Sequence, residues 1–198
     1  MTYLTPATEI ECDIIVKKSR FIARTSKVQS KQEVLSFLSH ARKDYPDARH
    51  HCWAYVLGNP HSPTAVSMND DGEPSGTAGR PILNVIQHKK IGDIMVVIIR
   101  YFGGIKLGAG GLVRAYSGST EKAISLLPIE HTILTQEMNV SLAFHQEQLC
   151  RYWAKQHQTS IQQVTYTNEV QIQLSVPNHH ISSFHNFCLS NNIQIMSR

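Results

Sequence analysis

The sequence has no long hydrophobic run. Its most apolar stretch, residues 94–99, has six consecutive apolar residues, whereas a helix needs about 20 to span a bilayer. Residues 1–11 also lack the basic start and apolar stretch of a secretory signal. We therefore expect a cytoplasmic protein that contacts no membrane.

Closely spaced cysteines are also missing. The four cysteines, Cys12, Cys52, Cys150 and Cys188, lie far apart and form no Cys-x-x-Cys pair. A disulfide scaffold requires denser spacing, and a zinc ribbon requires paired ligands. We predict free thiols and no cysteine-bound metal.

Several catalytic motifs are absent. The chain has neither the Gly-Lys-Ser/Thr of a P-loop nor the Gly-x-Ser-x-Gly of a hydrolase nucleophile elbow. The dinucleotide fingerprint Gly-x-Gly-x-x-Gly begins at Gly108 and Gly110 but has Val113 in its third glycine position. None of these three enzyme classes is therefore indicated.

Glycine and a net positive charge are missing from the last third of the chain. Residues 1–128 contain 16 Lys and Arg against 11 Asp and Glu, whereas residues 129–198 contain 3 against 4 and no glycine. Pro128 follows an apolar helical pattern, as expected just beyond a helix end. We therefore predict two domains, residues 1–128 and 129–198. The basic excess of the first permits nucleic-acid contact without requiring it.

Hydrophobic periodicity predicts an α+β protein. The first domain is expected to have the order β-β-α-β-β-α-β-α, with a capping box at Ser30–Glu33 and a central strand over residues 93–101 that is apolar on both faces. The second is expected to have the order β-α-β-β-α-β, with a strand at residues 132–143 and a hairpin tip at Thr167-Asn168. That order is the ferredoxin-like pattern.

A first candidate segment, the acidic loop of residues 69–81, places three carboxylates before a run of small residues and a helix start. Its candidate residues are Asp70, Asp71, Glu73, Ser75, Gly76, Thr77, Gly79 and Arg80. The carboxylates could hold Mg²⁺, and the amides of residues 75–79 could bind an anion at the helix N-terminus. The alternative is structural, with Asp70 and Asp71 in a turn and Ser75 or Thr77 capping the helix.

A second candidate segment, the glycine loop of residues 100–114, connects the apolar strand to a helix. Its candidate residues are Arg100, Gly103, Gly104, Lys106, Gly108, Gly110, Gly111 and Arg114. Glycines allow close backbone approach, and a helix N-terminus beside basic side chains suits a phosphate. The alternative is a tight turn that needs glycine for packing. Tyr101-Phe102 and Trp53-Tyr55 could stack on bases, although such pairs on strands more often belong to a core.

The two segments resemble the two signature blocks of the IMPACT family, in its bacterial, two-domain, YigZ-like branch. Further resemblance lies at Lys18-Ser19-Arg20-Phe21 and at His50-His51-Cys52-Trp53-Ala54-Tyr55. The resemblance covers roughly residues 15–120. It implies a first domain with the left-handed βαβ fold of ribosomal proteins and of a late domain of elongation factor G, and a ferredoxin-like second domain. Those shared folds suggest contact with RNA or ribosomes, by fold analogy.

Three hypotheses remain open at this stage. The favoured one is a non-catalytic, translation-associated protein that binds RNA or ribosomes through the basic residues of the glycine loop and Arg80, without a cofactor. The second is a Mg²⁺-dependent enzyme for a phosphorylated small molecule, with the acidic loop holding the ion. The third is a module that binds a protein partner.

Overall fold

The computed structural model describes residues 2–196, which form two compact α+β units. The first unit spans Tyr3–Thr132, and the second contains Thr2 and residues 133–196. Among the described residues, no helix is long and apolar enough to cross a membrane. The predicted fold class, α+β with two domains, is confirmed.

The first unit is built on a five-stranded antiparallel sheet in the order β2-β3-β6-β4-β5. Its elements are β1 Thr2–Pro6, β2 Ile10–Val16, β3 Ser19–Lys27, α1 Lys31–Asp44, β4 His50–Leu57, β5 Ala65–Asn69, α2 Gly79–Lys89, β6 Ile94–Tyr101, α3 Ala109–Leu126 and β7 Ile129–Ile133. The predicted order holds from β2 to α3. β1 was missed in the sequence.

Strand β6 lies at the centre of this sheet because its side chains are apolar on both faces. Ile94, Val96 and Ile98 pack with the buried residues of α2 and α3. Met95, Val97 and Ile99, on the opposite face of β6, pack instead with α1. At the start of α1, the Glu33 amide donates to Ser30 Oγ at 3.2 Å, which is one half of the predicted capping box. The Glu33 carboxylate accepts from the Gln29 amide at 2.8 Å instead of from the Ser30 amide.

The short strands β1 and β7 form a separate two-stranded sheet. The Ala7 amide donates to the Pro128 carbonyl at 2.9 Å, and the hydroxyls of Thr5 and Thr132 are hydrogen-bonded at 2.8 Å. Residues 129–132 therefore belong to the first unit, whereas the predicted second domain began at residue 129.

The second unit is a four-stranded sheet in the order β11-β8-β10-β9. Its elements are β8 Thr135–Leu142, α4 Glu147–Gln156, β9 Ser160–Tyr166, β10 Val170–Pro177, α5 Ile181–Ser190 and β11 Gln194–Met196. The core joins Trp153 of α4 and Phe184 of α5 to alternate residues of the sheet. The element order matches the predicted β-α-β-β-α-β pattern. The strand predicted at residues 132–143 is instead broken at Leu134 into β7 and β8.

Candidate functional site

The acidic loop and the glycine loop meet at a buried ion pair. Glu73 Oε1 accepts hydrogen bonds from Arg100 Nη1 at 2.6 Å and from the Tyr116 hydroxyl at 2.8 Å. The Glu73 and Arg100 side chains are only 4% and 8% exposed. Arg100 lies near the end of β6 and Tyr116 on α3, so the acidic loop is held against both elements that flank the glycine loop.

Asp70 organises the acidic loop by binding its backbone. Its Oδ1 accepts from the amides of Ala78 and Gly79 at 3.0 and 2.8 Å, and its Oδ2 accepts from the Gly76 amide at 2.8 Å. Burial acts to raise the pKa of Asp70, but these three amides outweigh it and hold the pKa below its usual value. The N-terminus of α2 is therefore capped by a carboxylate from its own chain.

Asp71 and the start of β4 fix the other side of the acidic loop. Asp71 Oδ2 accepts from the His51 amide at 2.7 Å, and Oδ1 pairs with Arg42 Nη2 at 3.0 Å. The His50 ring Nδ1 lies 2.8 Å from the Asp71 carbonyl, and the Cys52 thiol donates to the Asp70 carbonyl at 2.9 Å. The His-His-Cys sequence thus anchors the acidic loop.

These contacts change two expectations for the acidic loop. The amides of residues 76, 78 and 79, which were expected to be available to an anion, are occupied by Asp70. The helix cap is Asp70 rather than Ser75 or Thr77: Ser75 is exposed, and the Thr77 hydroxyl donates to the Pro74 carbonyl at 2.6 Å. The carboxylates of Asp70, Asp71 and Glu73 each bind different protein donors. Among residues 2–196, no group of three His, Cys, Asp or Glu side chains is placed to hold a metal ion.

A buried polar network extends from this ion pair. The Cys52 sulfur lies 3.3 Å from the Tyr116 hydroxyl, which binds Glu73. Burial raises the pKa of Cys52 to about 12, and it raises that of Tyr116 as well, with the neighbouring Cys52 and Glu73 adding to the shift. Both groups therefore stay protonated at neutral pH. Arg100 carries the cation that balances Glu73.

A cleft of about 580 Å³ opens above this network. Its charged and polar lining consists of Asp47, Arg49, His50, Glu73, Arg100 and Lys106. Its apolar lining includes Phe102, Leu107 and Leu112. Glu73 pairs with Arg100, and Asp47 accepts from the Tyr101 hydroxyl at 2.8 Å, which leaves Arg49 and Lys106 as exposed cations at the rim.

The N-terminus of α3 faces this cleft. Lys106, Gly108 and Ala109 all line it. Gly108, the residue before the helix, has no side chain to cap it and adopts a φ of +70°, which favours glycine. The first amides of a helix have no acceptor within the helix. The α3 N-terminus, unlike that of α2, therefore presents amides to a ligand.

The remaining glycines of the two loops have mainly local roles. At Gly103, a Cβ would lie 2.0 Å from the Lys18 carbonyl carbon, and its amide donates to Ser19 Oγ at 3.1 Å. At Gly79, a Cβ would lie 2.9 Å from the backbone of Asn69. Gly76 and Gly104 adopt positive φ, while Gly110 and Gly111 form the first turn of α3. These positions allow close chain approach and tight turns.

The structure separates the predicted basic residues. Arg100 and Lys106 line the cleft, but Arg80 lies in a groove between α2 and α3, beside Asn84 and Val113. Arg114 lies in another groove, next to β2. Arg100 is a buried partner of Glu73, whereas Arg80, Lys106 and Arg114 are exposed.

Of the cleft residues outside the predicted site, Arg49 was missed in the sequence. His50 was noted only in the resemblance, and Phe102 only as a residue that could stack on bases. The register of the sheet pairs His50 with Arg100, and this antiparallel pairing could have indicated the site. For Phe102 the sequence left stacking on bases and a place in the core open; the residue lies beyond β6 and is 57% exposed. Trp53 and Tyr55 do stack on each other, at 5.8 Å between ring centroids, within the cluster under α1.

The region that contains this site is similar to known proteins. Residues 17–124 match the family model of the Impact N-terminal domain. The chain is 33% identical over 182 residues to an IMPACT family member from Haemophilus influenzae, covering 92% of this chain and 88% of the relative. It is 36% identical over 184 residues to the IMPACT family member YvyE from Bacillus subtilis, covering 92% and 83%.

Two further comparisons extend beyond the region matched by the family model. The IMPACT family member YigZ from Escherichia coli is 38% identical over 145 residues, which cover 73% of this chain and 71% of the relative. A crystal structure described as that of a hypothetical protein superposes with a TM-score of 0.79 at 31% identity, covering 100% of this chain and 97% of the other. The similarity therefore includes both units.

Proposed function

This chain belongs to the IMPACT family, and from that premise we propose that it is a non-catalytic, translation-associated protein that binds RNA or ribosomes through the cleft of its first unit. The observation that carries the proposal is the uncapped N-terminus of α3, which faces the cleft beside Lys106, with Arg49 also in the lining. Helix amides and exposed cations together bind phosphate oxygens.

The internal pairing of the acidic residues supports this proposal. Glu73 is neutralised by Arg100, Asp71 by Arg42, and Asp70 binds three backbone amides. A phosphate at the α3 N-terminus would therefore meet little repulsion from the acidic loop. The same contacts favour a binding role over the Mg²⁺-dependent enzyme, because an ion in the acidic loop would have to displace these protein donors.

Salt-dependent RNA binding tests the proposal. Binding of a short single-stranded RNA and co-sedimentation with ribosomes would be measured from about 50 to 200 mM salt, since each phosphate contact to a single strand contributes about −0.7 to the slope of log K against log salt. The Arg49→Gln, Lys106→Gln double variant removes two exposed cations. We expect weaker binding and a slope smaller by about 1.

The matched control is the Lys31→Gln, Lys90→Gln double variant. Both lysines are exposed residues of the first unit, neither lines the cleft, and the net charge changes by the same amount. We expect this control to bind nearly as the wild type does. Equal losses in both double variants would show that overall charge, rather than the cleft, drives binding. Absence of binding to RNA and to ribosomes at low salt would contradict the proposed function.

A further inference from the structure

Arg100 forms the floor of the cleft with part of its hydrogen-bonding capacity unused. The side chain is 8% exposed, Glu73 accepts from Nη1, and Nε has no hydrogen-bond partner among the described residues. A buried donor without an acceptor destabilises the folded chain. The floor of the cleft therefore lacks an acceptor that the described part of the chain does not supply.

The pairing of Arg100 with Glu73 favours a neutral ligand atom over an anion as the missing hydrogen-bond acceptor. Glu73 already balances the guanidinium at 2.6 Å, so the floor is close to neutral. A second anion at the floor would meet the Glu73 carboxylate. A neutral group with acceptor atoms, such as the edge of a nucleobase, meets no such repulsion, and Arg is a frequent donor to base edges.

Phe102 forms a wall beside this floor. The Arg100 guanidinium lies over one face of its ring, 5.7 Å from the centroid, yet the residue is 57% exposed. Gly103 and Gly104 follow it directly, so the aromatic ring is carried on a loop at the end of β6. Exposed aromatic rings of this kind are the surfaces on which unpaired bases stack.

The groups of the cleft that could bind a phosphate lie at its rim. The α3 N-terminus, Lys106 and Arg49 contribute to the lining, separately from the balanced pair at the floor. A cleft of about 580 Å³ lies within the range of small-ligand sites, about 300–1,000 Å³. It therefore has room for a nucleotide.

We propose that the cleft takes one unpaired nucleotide of an RNA strand, with the base stacked on the exposed side of Phe102, its edge toward Arg100 and its phosphate at the rim. The proposal rests on the proposed function and deepens it by naming single-stranded RNA as the ligand. Proteins that read RNA beyond its backbone mostly take such unstacked bases, because the bases in a duplex are enclosed.

The test compares three probes of equal length: oligouridine, an RNA duplex, and a strand of abasic ribose phosphates. Each is titrated against the wild type, Phe102→Ala and the control Leu35→Ala, which removes an exposed apolar side chain on α1. Thermal melting of each variant verifies that it is folded. We expect oligouridine to bind at least about tenfold more tightly than the other two probes. Phe102→Ala should lose about tenfold on oligouridine alone, with an unchanged salt slope.

Failure of this proposal and failure of the proposed function give different results. If oligouridine, duplex and abasic strand bind alike and Phe102→Ala equals the wild type, the inserted nucleotide is refuted while backbone binding at the rim stands. If none of the probes binds at low salt, both proposals are refuted. A tenfold loss in Leu35→Ala as well would also contradict the inference, because the effect would not be specific to the cleft.

Discussion

Single residues of the acidic loop illustrate how little of a site follows from residue type. Asp70 and Glu73 are both carboxylates in one four-residue segment, but Asp70 binds backbone amides whereas Glu73 forms a buried ion pair. Arg100 was expected on the surface as a phosphate ligand and is instead largely buried. Composition indicated the segment, but the partners of each charge depend on contacts across the sheet.

The Asp70→Asn variant tests the capping role of this carboxylate. The amide group cannot accept from Gly76, Ala78 and Gly79 together, so we expect a loss of about 1–3 kcal/mol in the free energy of unfolding at pH 7. Because the folded-state pKa of Asp70 is lowered, its contribution is present above the unfolded pKa of about 3.9 and is lost as pH falls through the folded pKa. Urea unfolding at pH 7 and near pH 3 checks both points.

The control for this prediction is Asp13→Asn, which removes an exposed ion pair with Arg20 and should cost less than about 1 kcal/mol. The difference between wild type and Asp70→Asn should shrink below about pH 4. A difference that is independent of pH would contradict a capping role for the ionised group.

The four cysteines should differ sharply in reactivity. Burial raises the pKa of Cys52 to about 12, of Cys150 to about 11 and of Cys188 to about 12, and all three are buried, whereas Cys12 is partly exposed. Since the thiolate is the reactive form, we expect an alkylating reagent at pH 8 to modify Cys12 alone in the native protein. Mass spectrometry after short labelling measures this.

In this experiment, Cys12→Ser should abolish native labelling, and urea should expose the remaining three thiols. Labelling of Cys52 at the rate of Cys12 would contradict the buried network around Tyr116.

At the scale of elements, the two helices that follow the candidate loops differ at their N-termini. The helix α2 is capped by Asp70, and α3 begins after Gly108 without a side-chain cap or an acidic residue in its first turn. Sequence patterns predicted both helices, because Pro81 suits the first turn of α2 and the glycine loop leads into α3. They could not predict that an aspartate eight positions before the cap of α2 would satisfy its amides.

The Ala109→Asp variant tests the exposed N-terminus of α3. A carboxylate in the first turn interacts favourably with the helix dipole, so we expect a gain of about 0.5 kcal/mol in the free energy of unfolding. The same carboxylate would bind the helix amides or repel an RNA phosphate from them. RNA affinity should therefore fall although stability rises. The control Ala109→Asn lacks the charge and should bind RNA nearly as the wild type does. Loss of RNA affinity in both variants would indicate a steric effect instead.

The strands show which elements a sequence reveals. Strand β6 was predicted because every residue from Ile94 to Ile99 is apolar, as in a strand covered on both faces. Strand β1 was missed because Thr2–Pro6 is short and ends in proline, and its partner β7 lies more than 120 residues away. Pairing over that distance leaves no local pattern in either strand.

At the scale of the whole molecule, the composition change near Pro128 indicated two domains but not the strand that follows it. Glycine content and net charge show where the composition changes, whereas the unit boundary depends on which strands pair with each other. Residues 129–132 pair with β1, and Glu130 accepts from Lys27 Nζ at 2.8 Å.

Two truncated chains test this boundary. A chain ending at Leu134 retains the sheet of β1 and β7, and we expect it to unfold cooperatively in urea and to bind RNA. A chain ending at Pro128 leaves β1 without its partner and should be less stable by about 2 kcal/mol or more. Equal stability of the two chains would contradict the assignment of β7 to the first unit.

Photochemical crosslinking tests the central claim, an RNA-binding cleft in the first unit, most directly. An RNA with a photoreactive uracil would be irradiated with the full-length protein, and the crosslinked peptide would be identified by mass spectrometry. We predict that the adduct lies within residues 100–109, foremost at Phe102, and is lost when excess unmodified RNA competes. Adducts confined to the second unit, or to surfaces of the first unit outside the cleft, would contradict the account.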